Sequence, residues 1–213
     1  MAHVTIDTGS TTLRMTMNIP VVYPLESPLP SGSTLYLLHE AGDNASTWQQ
    51  LTTIERCMRP STAARSSCRR RSAATTQIWS TGERYAKAVS LSGVTDMQRR
   101  LQDPEMTPGM VKEMQAVFGP ELTIRPEQDL YALAARRTEE KAALPSLLCF
   151  CGTGDPFIAM NRDFAAYMQG TPCDFRYVEG PGTHDWLFWE EHLQTAFDFL
   201  FEDKNEGERG DAI

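Results

Sequence analysis

Short strand-like runs separated by helix-length segments constrain the fold of this chain most strongly. Thr34–Leu38 and Leu147–Cys151 are continuous apolar runs, which predict strands buried on both faces of a parallel sheet. Further strands are predicted at 86–92 and 173–178, and helices at 48–58, 162–168 and 190–201. This alternation predicts an α/β fold with a mostly parallel sheet and helices on both faces.

The remaining segments complete a single predicted domain over residues 1–202. Residues 3–23 predict one or two antiparallel strands, and residues 96–140 predict short polar helices interrupted by prolines. An insertion of that kind typically covers a pocket like a cap. Residues 203–213 are charged and contain glycine, which predicts a disordered tail.

The segment 57–82 is unlike the rest of the chain. Residues 56–79 contain six arginines and no acidic residue, whereas the whole chain of 213 residues has a net charge of −8. No apolar run in 57–82 is long enough to predict a strand, so we expect an irregular segment that leaves the sheet incomplete in its centre. The strongly acidic remainder argues against a nucleic acid or a membrane as partner.

The pattern of cysteines and the lack of a recognisable targeting segment indicate the cellular compartment in which we expect the protein. The five cysteines have no framework spacing, and Cys149 and Cys151 fit two buried strand residues better than a metal or redox pair. The sequence shows no signal peptide and no apolar stretch of roughly 18 residues that would span a bilayer. We therefore expect a reduced, cytoplasmic protein without a bound metal.

An acid and a histidine each follow a predicted strand. Asp155 ends the turn Cys151–Asp155, and His184 lies in the loop Gly182–Trp186 after the next strand. Loops after parallel strands meet at one edge of the sheet, where sites gather. The pair therefore predicts the acid and base of a hydrolase with a hydroxyl nucleophile. The alternative, that each is an ordinary turn residue, remains open.

The loop after the first buried strand contains His39, Glu40, Ala41 and Gly42. A loop with histidine and glycine at this place supplies an oxyanion-binding amide in many esterases. Here Glu40 stands where glycine is usual, and its carboxylate would repel a developing oxyanion. A plain turn between a strand and a helix is the alternative.

These motifs resemble the esterase D and tributyrin-esterase family of α/β-hydrolases, relatives of S-formylglutathione hydrolase. The resemblance covers most of the chain in the family's order: Leu35–His39, Gly42–Trp48, Ile54–Arg56, Glu83–Gly93, Cys151–Asp155 and Gly182–Trp189. It implies a cofactor-free serine carboxylesterase that acts on short acyl esters, with Asp155 and His184 as acid and base. It also implies that Trp48, Trp186 and Trp189 line the substrate pocket, with core packing as their alternative role. Family members often form homo-oligomers.

No nucleophile is identifiable, because the sequence contains no Gly-x-Ser-x-Gly. Ser92 has Ser90 before it and Val94 after it, where the strained turn needs small residues. Ser66, Ser67 and Ser72 lie among arginines, in the segment that replaces the family's inner strands and nucleophile elbow. We therefore predict an impaired or inactive esterase. The alternatives are a truncated, non-catalytic remnant, or a binding module that uses the Arg65–Arg71 run.

A shift of reading frame would explain the unusual composition of this segment. With suitable codons, residues 66–70 read Val-Val-Met-Pro-Ser one base out of frame, which resembles a buried strand and the loop after it. Our hypothesis is that residues 60–80 are translated out of frame, and the gene sequence across codons 56–86 tests it directly.

Overall fold

The computed structural model describes residues 2–10, 15–23, 34–37, 46–57, 65–68, 85–142 and 144–201. The chain divides into two compact units. The first unit comprises Met1–Ser72 and Trp189–Ile213, and the second comprises Ala73–Phe188.

A mixed sheet organises the first unit. Strands β1 (Ala2–Ser10) and β2 (Met15–Tyr23) are antiparallel, and β3 (Thr34–Leu37) runs parallel to β4 (Arg65–Cys68). The described strands lie in the order β1-β2-β4-β3. The antiparallel N-terminal strands and the strand near 34–38 are therefore confirmed.

Strand β4 corrects the expectation that residues 57–82 contain no strand. β4 is an inner strand, with Ser66 opposite Val22 of β2 and opposite Leu35 of β3. The expectation was wrong because it relied on apolar side chains, whereas a strand between two neighbours is held by main-chain hydrogen bonds whatever its side chains are. Residues 58–64 and 69–84 lie outside the described part of the chain.

Two short helices replace the single helix predicted at 48–58. Helix α1 covers Thr47–Leu51 and α2 covers Ile54–Cys57. The Thr52 hydroxyl donates to the carbonyl of Trp48, and both the amide and the hydroxyl of Thr53 donate to the Glu190 carboxylate. Threonine side chains compete in this way with helical hydrogen bonds, which explains the break.

A parallel sheet organises the second unit. Strands β5 (Lys87–Leu91), β6 (Ser146–Gly152) and β7 (Phe175–Gly180) are parallel in the order β5-β6-β7. Every residue of β6 is buried, as the apolar run predicted. Cys149 and Cys151 are free thiols within this strand, as predicted, and burial raises the pKa of Cys151 to about 12.

Among its described residues, the second unit contains four complete α-helices and a 3₁₀ turn, and two of the helices pack on the face of the sheet that carries Leu147. Their bounds are α3 Met97–Leu101, α4 Pro108–Phe118, a 3₁₀ turn Pro126–Gln128, α5 Leu130–Glu139 and α6 Ile158–Met168. Leu133 of α5 and Phe164 of α6 pack with Leu147 in one core cluster. The helices predicted for 96–140 are thus present, and the last of them is part of the core. A cap role for the rest stays a prediction.

The final helix, α7, covers Trp186–Phe201, and the boundary between the two units falls within it, after Phe188. The α/β class predicted from the sequence is confirmed. Within the described ranges, no helix is long and apolar enough to cross a membrane. The predicted tail, 203–213, lies outside the described residues.

Candidate active site

Asp155 is placed by the tight turn that follows β6. Its amide donates to the carbonyl of Gly152 at 3.0 Å, and its own carbonyl accepts from the amide of Ile158 at 3.1 Å, where α6 begins. The amide of Phe157 donates to Asp155 Oδ1 at 2.8 Å. The carboxyl group is therefore fixed between the end of a buried strand and the start of a helix.

Glycines bring the loop after β7 against this turn. The amide of Gly154 donates to the carbonyl of Gly182 at 2.9 Å, and a Cβ on Gly152 would lie 2.5 Å from that same carbonyl oxygen. Gly182 has a φ of 141°, a conformation that side chains disfavour. The two loops approach closely through these main-chain atoms, and this approach places His184 beside Asp155.

The predicted acid and base make direct contact. His184 Nδ1 lies 2.9 Å from Asp155 Oδ2. The Asp155 side chain is fully buried, whereas the His184 side chain remains 18% exposed. Because an ionised carboxylate only accepts hydrogen bonds, the proton of neutral His184 resides on Nδ1, and Nε2 is the ring nitrogen with acceptor character.

Electrostatics keep Asp155 ionised despite its burial. Burial by itself raises the pKa of this carboxyl, but hydrogen bonds with His184 and the Phe157 amide, together with the nearby Ser92 hydroxyl, outweigh it. The resulting pKa lies below the ordinary value of 3.8. Asp155 is therefore a permanent anion near neutral pH, suited to orienting an imidazole and stabilising its protonated form.

An aromatic ring packs against the imidazole, and a cation packs against that ring. The Phe157 ring meets the His184 ring edge to face, with centroids 4.9 Å apart and an interplanar angle of 81°. The Arg100 guanidinium lies 5.5 Å from the centre of the same Phe157 ring and pairs with Asp103 at 2.7 Å. The His184 amide donates to its neighbour Thr183 Oγ1 at 2.6 Å.

Ser92 is a buried residue near Asp155. It directly follows β5, has a φ of 54°, and is 2% exposed. Its amide donates to the carbonyl of Phe150 at 2.8 Å, which extends the β5–β6 ladder by one residue. The hydroxyl is close enough to lower the pKa of Asp155, although it has no well-aligned hydrogen bond among the described groups.

The other residues predicted for the site are placed less directly. His39, Glu40, Ala41 and Gly42 lie outside the described residues. Trp186 begins α7, two residues after His184. Trp48 and Trp189 belong to the first unit. The structure therefore does not assign the three tryptophans to one pocket. In the described ranges, no group of three or more His, Cys, Asp or Glu side chains is arranged to hold a metal ion.

Two residues at this site were not predicted as part of it. Ser92 was considered only as a nucleophile, and its place beside Asp155 depends on the pairing of β5 with β6, which the sequence does not reveal. Phe157 follows Asp155 by two residues, and nothing in its spacing indicates a contact with a histidine that lies 27 residues further on.

The chain is similar to known esterases and serine hydrolases. No family model matches the chain. An acetyl esterase of Caldicellulosiruptor saccharolyticus is 31% identical over 74 residues, which are 35% of this chain and 28% of the relative. The chain therefore spans less than a third of that curated relative.

Solved structures give broader coverage at lower identity. The fluorophosphonate-binding serine hydrolase F of Staphylococcus aureus has a TM-score of 0.81 at 21% identity, covering 95% of this chain and 99% of that one. An S-formylglutathione hydrolase of the same organism has a TM-score of 0.77 at 20% identity, covering 93% and 98%.

The chain therefore has the α/β-hydrolase fold of these solved structures. Within that class, the resemblance to esterase D-like hydrolases predicted from the sequence is confirmed.

Proposed function

We propose that this chain is a serine-type esterase for short acyl esters, with Asp155 as the acid and His184 as the base. The 2.9 Å contact between His184 Nδ1 and Asp155 Oδ2 is the observation that carries the proposal. The relatives named acetyl esterase and S-formylglutathione hydrolase support a small acyl substrate. The cytoplasmic location and the homo-oligomer remain predictions.

The pair would act through Nε2 of the imidazole. His184 Nε2 takes the proton of an attacking hydroxyl as the new bond to the acyl carbon forms, and it returns that proton to the departing alcohol. Asp155 keeps Nδ1 protonated and stabilises the imidazolium that forms. Water then repeats the two transfers and releases the acid.

The nucleophile is the missing member of this set. The sequence has no Gly-x-Ser-x-Gly, and Ser92 is buried, which bars a substrate from its hydroxyl. A second candidate function follows from these observations: a non-catalytic protein that keeps the fold and the Asp155–His184 pair. A fluorophosphonate probe separates the two, because it labels only an activated hydroxyl, and mass spectrometry of the labelled peptide would identify the serine.

Hydrolysis of p-nitrophenyl acetate and butyrate tests the esterase directly. His184→Ala should lower kcat/KM by about a thousandfold or more, because it removes the base. His192→Ala is the matched control, since His192 lies on α7 outside the proposed pair, and its kcat/KM should equal that of the unmodified protein. Equal rates for His184→Ala and the unmodified protein would contradict the proposal. Rates no faster than buffer, with no labelling, would favour the non-catalytic function.

A further inference from the structure

Helix α6 begins with an unusual residue. Phe157 occupies its N-cap position, with φ −94° and ψ 6°, and makes no side-chain cap. Serine, threonine, aspartate and asparagine are favoured at that position, because their side chains accept hydrogen bonds from the first turn of the helix. A phenyl ring accepts none, so the role of this side chain follows from the groups that its ring contacts.

Phe157 contacts both members of the acid–base pair. Its amide donates to Asp155 Oδ1 at 2.8 Å, and its ring meets the His184 ring edge to face, with centroids 4.9 Å apart. Asp155 Oδ2 in turn lies 2.9 Å from His184 Nδ1. These three contacts close a loop, so an imidazole that swings away from the carboxylate also gives up its contact with the phenyl ring.

A cation from the helical insertion packs on the same phenyl ring. The Arg100 guanidinium lies 5.5 Å from the ring centre, an arrangement that a cation and an aromatic face favour. The Arg100 side chain is 13% exposed, and its two terminal nitrogens contact Asp103 Oδ2 at 2.7 Å and Met110 Sδ at 3.8 Å. Arg100 belongs to α3 and Met110 to α4, so two helices of the insertion fix the guanidinium against the ring.

We propose that Phe157 is a positioning residue whose ring holds the His184 imidazole against Asp155, and that Arg100 holds this ring in place. The inference rests on the proposed roles of Asp155 and His184. Proton transfer through Nε2 requires Nδ1 to stay on the carboxylate, and an edge-to-face contact favours one orientation of the imidazole over others. The insertion thus contributes to the site by packing, through a side chain that takes no part in the chemistry.

The test follows the Nδ1 proton of His184 by NMR at one fixed pH, with the signal assigned by its absence in His184→Gln. This proton exchanges with water when the imidazole leaves the carboxylate. Phe157→Leu keeps the amide bond to Asp155 and an apolar side chain but removes the ring, so exchange should become about two- to tenfold faster. Phe157→Tyr keeps the ring and should exchange as slowly as the unmodified protein.

Tyr167→Leu is the matched control for loss of a ring. Tyr167 lies on the same helix and is 36% exposed, and its ring contacts that of Tyr131, with centroids 4.9 Å apart. Its removal should leave the exchange of the His184 proton unchanged. An increase equal to that of Phe157→Leu would assign the effect to a general loosening of α6 and overturn the inference.

Arg100→Met tests the second contact and should speed exchange by about twofold. Because Arg100 acts through the ring, the double variant with Phe157→Leu should exchange no faster than Phe157→Leu alone. Arg99→Met is the control, since Arg99 is the preceding residue of α3 and pairs with Asp163 at 3.0 Å. Faster exchange in the double variant would show that Arg100 does not act through Phe157.

Three further results would overturn the role of the ring. Exchange could be unchanged in Phe157→Leu, or Phe157→Tyr could exchange as fast as Phe157→Leu. The Nδ1 proton could also exchange too fast to observe in the unmodified protein, which would show that the imidazole is not held. If Phe157→Leu fails to fold, Arg100→Met decides by itself, and unchanged exchange in that variant overturns the inference.

This experiment needs no turnover, so its failure is separable from that of the proposed function. Nitrogen-15 shifts of the His184 ring report on the pair itself. If Asp155→Asn leaves these shifts unchanged, the acid–base pair fails. If Asp155→Asn changes them while the Phe157 variants leave the exchange rate unchanged, only the role of Phe157 fails.

Discussion

Strands β4 and β6 are both inner strands, one in each unit, but they are built from opposite kinds of sequence. All seven residues of β6 are buried, and the strand is flanked by helices whose side chains pack on it. β4 reads Arg-Ser-Ser-Cys and pairs with β2 and β3 through its main chain. The comparison separates two sources of strand stability, side-chain burial and ladder hydrogen bonds, and each can be tested on its own.

Truncation in β6 should have the largest effect on stability. Phe150 is 1% exposed, so Phe150→Ala should lower the free energy of unfolding by about 3–5 kcal/mol. Urea denaturation measures the loss. Val178→Ala on β7 is the control, because Val178 is 37% exposed and should lose much less. Equal losses at the two positions would mean that side-chain burial does not distinguish β6.

A methyl group at the end of β6 should have the next largest effect. Gly152→Ala would place a Cβ 2.5 Å from the carbonyl oxygen and 2.7 Å from the carbonyl carbon of Gly182. Main-chain atoms cannot rotate away, so we expect a loss of about 1–3 kcal/mol and a changed His184 signal in proton NMR.

Gly170→Ala is the control for this overpacking. The nearest atom to its added Cβ is the Tyr167 carbonyl oxygen at 3.4 Å, an ordinary contact. A Gly152→Ala protein with unchanged stability and an unchanged His184 signal would contradict the close approach of the two loops.

Removal of an amide tests whether β4 depends on its main chain. Ser66→Pro removes the Ser66 N–H from a strand paired on both sides and should cost about 2 kcal/mol in urea denaturation. Ser66→Thr keeps the amide, suits a strand, and should be neutral or slightly stabilising. Unchanged stability in Ser66→Pro would show that the main-chain hydrogen bonds of β4 do not stabilise the sheet.

Lowering the pH should produce the smallest effect on stability, and the buried carboxylate of Asp155 should contribute to it. The pKa of Asp155 is lowered in the folded protein, so its stabilisation is complete above the ordinary value of 3.8 and is lost as the pH falls through the folded pKa. Stability measured from pH 5 downward should therefore fall more steeply in the unmodified protein than in Asp155→Asn.

High salt provides the control for this slope. Glu179 also has a lowered pKa because of its hydrogen bond with Arg162, but that pair is solvent-exposed, and salt screens it. The pH dependence of stability that remains at high salt should come from Asp155. An identical slope in Asp155→Asn at high salt would contradict the ionic state assigned to the buried pair.

The elements that the sequence predicted correctly have local signals. β6 follows from a continuous apolar run, and the pairing of Asp155 with His184 follows from two glycine-containing turns after parallel strands. β4 had no such signal, because its formation depends on neighbours that are distant in sequence. The break between α1 and α2 depends on Thr53 reaching Glu190, a contact across 137 positions. The place of Ser92 beside Asp155 likewise required knowing that β5 pairs with β6.

The main-chain hydrogen bonds between the turn after β6 and the end of β7 have a practical consequence for anyone modifying this molecule. Thr153 donates its amide to the carbonyl of Gly180 at 2.8 Å, and the residue is exposed. Its side chain is therefore not needed for that bond. A cysteine introduced at 153 could carry a fluorophore or a spin label two residues from the buried carboxylate, reporting on ligand entry while leaving the fold that surrounds it intact.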